Sequence, residues 1–310
     1  MRLADLHRSS PGTLAGMTHR SDSVGLVLAR PARMLGHEPF FGELIAGIEE
    51  RLSAEGRSLL LHIVPDHTAE IAAYRRWAEG SMVDAVTVVN VVTDDPRLPV
   101  LVELGVPAVV VGGPPAGLGF TNVWIDDAQA MRDAVGFLVG LGHADIARVS
   151  GPHELAHTRS RSTAFLEECA RSGVESTIVE GDYTDESGKR ATRALLGRRG
   201  APTAIIYDND VMAAAGLGVA AEMGVPVPAK LSLMAWDDSA LCRLASPALS
   251  SMTLDVHAMG MQVADCVLNM LAGGPVTAHM APLPRLSARG STARAPQAVA
   301  PGTVSADTVD

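Results

Sequence analysis

Short unbroken apolar runs alternate with amphipathic stretches along most of the chain, and that rhythm limits the fold more than any other feature. The run 24–29 (VGLVLA) carries no polar residue, as a strand buried on both faces of a parallel sheet requires. A helix is predicted over 41–55, with Phe41, Leu44, Ile45, Ile48 and Leu52 on one stripe and Gly56 as its stop. Strands follow at 59–64, 85–91, 107–111 and 122–125, with helices at 68–79 and 128–141. The pattern then begins again. Strands at 146–150, 177–179, 204–207 and 231–236 alternate with helices at about 161–171, 185–196 and 211–223. Such alternation builds parallel sheets with helices on both faces. Two rounds of it predict an α/β chain of two doubly wound lobes, which suits a length of 310 residues. Glu103-Leu104-Gly105-Val106-Pro107 and Glu222-Met223-Gly224-Val225-Pro226 share helix-stop chemistry and carry little weight as evidence of duplication.

Charge and composition narrow the function. Lys plus Arg number 25 against 35 Asp plus Glu, a net charge of −10, which disfavours gripping nucleic acid with the bulk surface. No apolar stretch of about 18 residues occurs, so no membrane span is expected. MRLADLHRSS has no apolar core of a secretory signal. Cys169, Cys242 and Cys266 read as buried free thiols in a reducing cytoplasm. The last residues, rich in Ala, Pro, Ser and Thr, read as a disordered tail.

His153-Glu154-Leu155-Ala156-His157 is a literal H-E-x-x-H. On a helix this spacing sets two imidazoles on one face to bind zinc, with the glutamate as general base. Its setting argues against a zinc hydrolase: it directly follows a predicted strand ending Ser150-Gly151-Pro152, and its third ligand would have to be a later acid such as Glu175. Gly216-x-Gly218-x-x-Ala221 resembles a dinucleotide fingerprint but falls inside a helix, away from the turn where backbone amides meet a pyrophosphate. It reads as a packing surface. No P-loop, no G-x-S-x-G elbow and no nucleophile with a paired base is visible, so neither a cofactor nor catalysis nor a metal is expected.

What remains is a set of polar residues at the C-terminal ends of strands, where open α/β sheets bind ligands. Asp126 and Asp127 follow one strand, Asn209 and Asp210 another, Asp237 and Asp238 a third. Asp127, Asp210 and Asp238 are read as helix caps, which leaves their neighbours free to face a cleft. Arg161 opens a predicted helix, where its charge opposes the macrodipole, and so is assigned another task, a fork of donors aimed at hydroxyls or carboxylate. Of Phe40 and Phe41, one ring should pack in the core and the other stack on a ligand.

Several ordered motifs give the chain a resemblance. They are Ser23-Val24-Gly25-Leu26-Val27, Pro39-Phe40-Phe41-Gly42-Glu43-Leu44 with Gly47-Ile48, and Leu141-Gly142-His143-Ala144-Asp145-Ile146-Ala147. Then come Arg161-Ser162-Thr163-Ala164-Phe165, the run 204–213 (AIIYDNDVMA), 224–228 (GVPVP), Trp236-Asp237-Asp238, 246–251 (SPALSS) and Arg289-Gly290-Ser291-Thr292. Over 13–292 the chain resembles the effector-binding core of the lactose-repressor/galactose-repressor family of bacterial transcription regulators. Trp236 stands where that family usually has Phe or Tyr, and Ala164 where it usually has Gly.

The resemblance implies a periplasmic-binding-protein-like fold of type I, with two lobes clamping a sugar, nucleobase or similar effector, a sugar first among them. It implies effector contacts at Phe41, Asp126, Arg161, Asn209 and Asp237, and a first lobe of 23–143 plus 256–276. The second lobe would be 144–255 plus 277–292, with a hinge remnant over 1–22 and a tail over 293–310. The three crossovers would lie near 142–146, 254–257 and 276–284, and a helix 258–271 would return to the first lobe. The family's helix-turn-helix head has no counterpart in the residues before 13. The expectation is therefore a cytoplasmic sensor core, a homodimer that would reach operator DNA only through such a head. A periplasmic-type sugar-binding protein of a transporter shares the fold and is the alternative.

Overall fold

The computed structural model describes residues 21–31, 38–112 and 119–296. The expected hinge up to residue 20 and most of the expected tail lie outside them. The elements in chain order are β1 (Ser23–Ala29), α1 (Pro39–Ser53), β2 (Ser58–Val64), α2 (His67–Glu79), β3 (Ala85–Val88), α3 (Arg97–Leu104), β4 (Ala108–Val111) and β5 (Thr121–Trp124). Next are α4 (Asp127–Gly140), β6 (Asp145–Ser150), α5 (Ala156–Arg171), β7 (Glu175–Glu180), α6 (Asp185–Leu196), β8 (Ala204–Tyr207) and α7 (Asp210–Glu222). The last are β9 (Ser232–Trp236), α8 (Ala240–Leu244), β10 (Ser250–Thr253), α9 (Val256–Leu271), β11 (Ala278–Met280) and β12 (Arg285–Ser287).

Two six-stranded sheets result, in the orders β2-β1-β3-β4-β5-β11 and β7-β6-β8-β9-β10-β12. The first is parallel throughout, and the second departs from parallel only at β10–β12. Both are covered on both faces, which is why their strands are apolar without alternation. In the first lobe Leu44, Ile48, Met259 and Val263 pack on one face, and Tyr74, Trp77 and Leu101 on the other. In the second, Met131, Val135 and Phe165 face Leu195, Met212 and Ala220 across the sheet.

Chain crossings differ from those the sequence suggested. Helix α4 packs with α5, β6 and β8 in the second lobe, so the first crossing follows β5 at 125–127 and not 142–146. A helix's apolar stripe tells that it is covered, not which sheet covers it. The second crossing lies at 254–256. Strand β11 pairs with β5, and Ala281 N donates to Trp124 O at 2.8 Å, so 278–281 belongs with the first lobe and not the second. The third crossing is therefore confined to 282–284. Helix α9 returns to the first lobe through a close approach to α1: a Cβ on Gly47 would sit 2.1 Å from His257 O, and one on Gly260 2.4 Å from Leu44 O. The start of the expected tail is fixed, since Ala293 N donates to Ser232 Oγ and Ala295 N to Leu141 O. Among the described residues no helix is long and apolar enough to cross a membrane.

Candidate functional site

The C-terminal ends of both sheets meet at a cleft that encloses about 910 Å³ of space including its open mouth. Arg30, Phe40, Phe41 and Asn90 line it from the first lobe. Asp127, His157, Arg161, Tyr183, Asp208, Asn209, Trp236 and Asp237 line it from the second. Ile125 and Leu254 come from the crossings. Four of the five residues singled out in the sequence, Phe41, Arg161, Asn209 and Asp237, are thus brought together. Asp126 is not. Its carboxylate accepts from Gln129 N at 2.9 Å and caps α4, and Asp127, the residue taken for the cap, faces the cleft instead.

The same displacement by one residue recurs. Asn209 caps α7 by accepting from Met212 N at 2.9 Å, while Asp210 accepts from Ser239 N at 3.1 Å. Ser239 caps α8, while Asp238 pairs with Arg289 at 2.7 Å. Asn209 therefore spends its oxygen on the cap and one amide hydrogen on Tyr183 O, at 3.0 Å, and shows the cleft what is left.

Two buried arginines organise the second lobe's wall. Arg161 Nε donates to Asp127 Oδ1 at 2.7 Å, and its guanidinium lies 4.1 Å over the Trp236 ring. Helix α5 starts at Ala156, so Arg161 sits in its second turn, and the macrodipole argument for its placement lapses. Arg148 holds Asp208 with two bonds, Nε to Oδ1 at 2.7 Å and an Nη to Oδ2 at 2.6 Å, while Gly151 N also donates to Asp208 at 3.1 Å. Burial alone would raise the Asp208 carboxyl, but Arg148 and Arg161 hold it below the usual range. Asp127 goes the other way, raised because burial outweighs Arg161.

Asp237 forms no ion pair among the described residues. Burial first, then the neighbouring Asp210 charge, push its carboxyl up to about 7 against the pull of Arg161. Its backbone is held at φ +67°, a left-handed conformation that Asp and Asn tolerate better than most residues. In the first lobe Arg30 stacks 4.0 Å over Phe41 and pairs with Glu38, and burial lowers it to about 10, leaving it charged at neutral pH.

The H-E-x-x-H motif comes apart. His153 precedes α5, is exposed, and bonds Glu180 Oε1 at 3.1 Å. His157 points into the cleft and shares a 2.8 Å hydrogen bond with Tyr183 Oη; burial, then Arg161, lowers it to about 3, so it is a neutral imidazole. Glu175 sits opposite Asp145 at the far end of β7, five residues or about 16 Å from the end of β6 that leads into the motif. Among the described residues the side chains close enough to share a cation are His153, Glu154 and Glu180, all exposed and without His157. In the dinucleotide-fingerprint candidate, a Cβ on Gly216 would sit 2.2 Å from Tyr207 Oη, so that glycine permits helix–sheet contact as expected, whereas Gly218 faces open space.

Arg30, Asn90, Asp127, Tyr183 and Asp208 were missed in the sequence. Arg148 within the apolar run 146–150 was the available signal for Asp208, since a charge in a buried strand needs a partner. Nothing local marks Tyr183, which arrives from the loop after β7.

Residues 135–292 match the periplasmic binding protein-like domain. The chain is 30% identical over 263 residues to the HTH-type transcriptional regulator CelR of Thermobifida fusca, covering 83% of this chain and 77% of that protein. A LacI family transcriptional regulator from Bifidobacterium animalis subsp. lactis superposes with a TM-score of 0.82 at 34% identity, over 89% of this chain and 99% of that one. A CelR–cellobiose complex does so with a TM-score of 0.81 at 28% identity, over 88% of this chain and 85% of that one. The relatives are transcription regulators and not enzymes. With its two parallel-sheet lobes and this similarity along nearly its whole described length, the chain belongs to the LacI family of transcriptional regulators.

Proposed function

We propose that the chain is the effector-sensing part of a cytoplasmic repressor, binding an uncharged, hydroxyl-rich small molecule, a sugar first among candidates, in the interlobe cleft. The observation that carries this is the charge balance within the cleft wall. Arg161 is matched by Asp127, Arg148 by Asp208 and Arg30 by Glu38, leaving the Asp237 carboxyl as an acceptor and no spare cation for a phosphate. Phe40, partly exposed at the cleft beside the buried Phe41, adds an apolar ring of the kind on which a pyranose rests. The cellobiose bound by the CelR relative supports the same class.

Because contacts come from both lobes, a ligand binds the closed arrangement better, and that difference drives closure. In a homodimer this would move the first lobes relative to each other and reset the spacing of attached DNA-reading heads. An apolar groove between α7 and α8 supports the dimer: Leu244 is 84% exposed there and Leu241 42%. Thermal-shift screening with cellobiose, other sugars, nucleobases and sugar phosphates tests the reading. A sugar is expected to stabilise the protein and Arg161→Ala to abolish that stabilisation. Stabilisation by sugar phosphates alone, or a shift that survives Arg161→Ala, would sink this assignment of the site.

A further inference from the structure

The lobes are joined a fourth time, without a covalent crossing. Ala156, the first residue of α5, donates its backbone N–H to Val91 O at 2.8 Å, and Val92 and Leu155 form an antiparallel bridge. Arg159 donates to Thr93 Oγ1 at 3.1 Å. Residues 91–93 follow β3, two strands from β5 in the first sheet; residues 155–159 follow β6, three strands from β10 in the second. The covalent crossings leave from β5, β10 and β11, so this join lies away from them, across the cleft.

Each half is stiffened by its own lobe. Arg97, fully buried, donates to Val89 O and Asn90 O at 3.0 Å each, and is gripped by Glu70 and Asp95. Asp95 in turn accepts from Val92 N at 3.2 Å. A buried arginine with two carboxylates is costly to desolvate, and what it achieves here is a fixed loop at the cleft rim. On the other side Leu155 is buried, and His157, one residue beyond Ala156, stands in the cleft wall against Tyr183. The middle of the H-E-x-x-H segment is thus structural in a way its motif does not suggest.

We propose that 91–93 and 155–159 form a latch that sets how far the two lobes open. It rests on this geometry and holds whatever the cleft binds. A stronger latch raises the closed population, and the apparent affinity for any ligand of the closed state scales with that population.

Ala156→Pro removes the donated N–H and little else: proline suits the first position of a helix, and Leu155, at φ −72° and ψ 131°, already has the extended backbone that precedes proline. Spin labels at Val102→Cys and Leu166→Cys, both exposed and one on each lobe, report the interlobe distance. The native cysteines are buried, and an excess of unlabelled chain leaves one labelled copy per particle. The expected result is a main distance peak that moves outward in Ala156→Pro and broadens outward, by less, in the surface variant Arg159→Ala. If Ala156→Pro does not fold, Arg159→Ala alone decides. A distribution unchanged in every variant that folds overturns the latch.

Discussion

The two lobes share one strand order and do opposite chemistry with it. At the cleft, the first lobe offers two phenylalanine rings, Asn90 and the Arg30–Glu38 pair. The second offers Asp127, Asp208, Asn209 and Asp237 with Arg161 between them. Each lobe also buries an arginine behind the cleft wall, but to different ends. Arg97 sits in the first lobe's far layer and fixes a loop, whereas Arg148 lies in the second sheet and aims the carboxylate of Asp208. Scaffold and chemistry are therefore separable here: strand order positions the rim, and the residues just past the strands decide what the rim recognises.

The sharpest way to break this comparison is to remove the two arginines. Arg97→Met leaves Glu70 and Asp95 buried without a cation and is expected to cost about 5 kcal/mol in denaturant unfolding. Arg148→Met leaves only Asp208 unpaired and should cost about 3 kcal/mol, while also weakening any ligand shift. Equal ligand-binding losses from both variants would show that the division of roles is wrong.

A smaller effect separates the lobes by pH. With its carboxyl raised to about 7, folded Asp237 keeps a proton that the unfolded chain releases near pH 4. Stability should therefore fall as pH rises from about 4 to 7. Asp237→Asn, which tolerates the same left-handed backbone, should raise stability at pH 8 by ~1 kcal/mol, a figure reduced for its opening to the cleft, and leave it unchanged at pH 4. A parallel pH profile for the two proteins would remove Asp237 from this role. The smallest effect is expected outside the cleft, where His153→Ala should alter neither unfolding midpoint nor ligand shift. Loss of either would return the exposed His153–Glu180 pair to functional consideration.

Much of the fold was legible because parallel strands need continuous apolar runs and their helices need stripes. What escaped has local reasons. Helix α3 carries Pro99 in its first turn, which reads as a breaker, and α8 is five residues, too short for periodicity to show. The site was legible as strand-end polar pairs, but not which member of each pair turns inward. Helices α4 and α7 each begin one residue earlier than their apolar stripes suggest, so Asp126 and Asn209 take those caps, while α8 begins one residue later than a cap at Asp238 would place it and is capped by Ser239. The Arg97–Glu70 contact spans 27 residues and the Arg161–Asp127 contact 34, separations at which sequence spacing carries no signal.

The close seat of α9 against α1 has a consequence during synthesis. Helix α9 supplies Met259, Val263 and Val267 to the first lobe, yet it emerges only after the whole of 127–253, which builds the second lobe, has been made. At the ribosome's pace of roughly 5–20 residues per second, the face of α1 with its glycine notch waits roughly 10–40 s for its cover. During that interval the side of α1 around Gly47, which α9 will cover, has no cover from the rest of the chain.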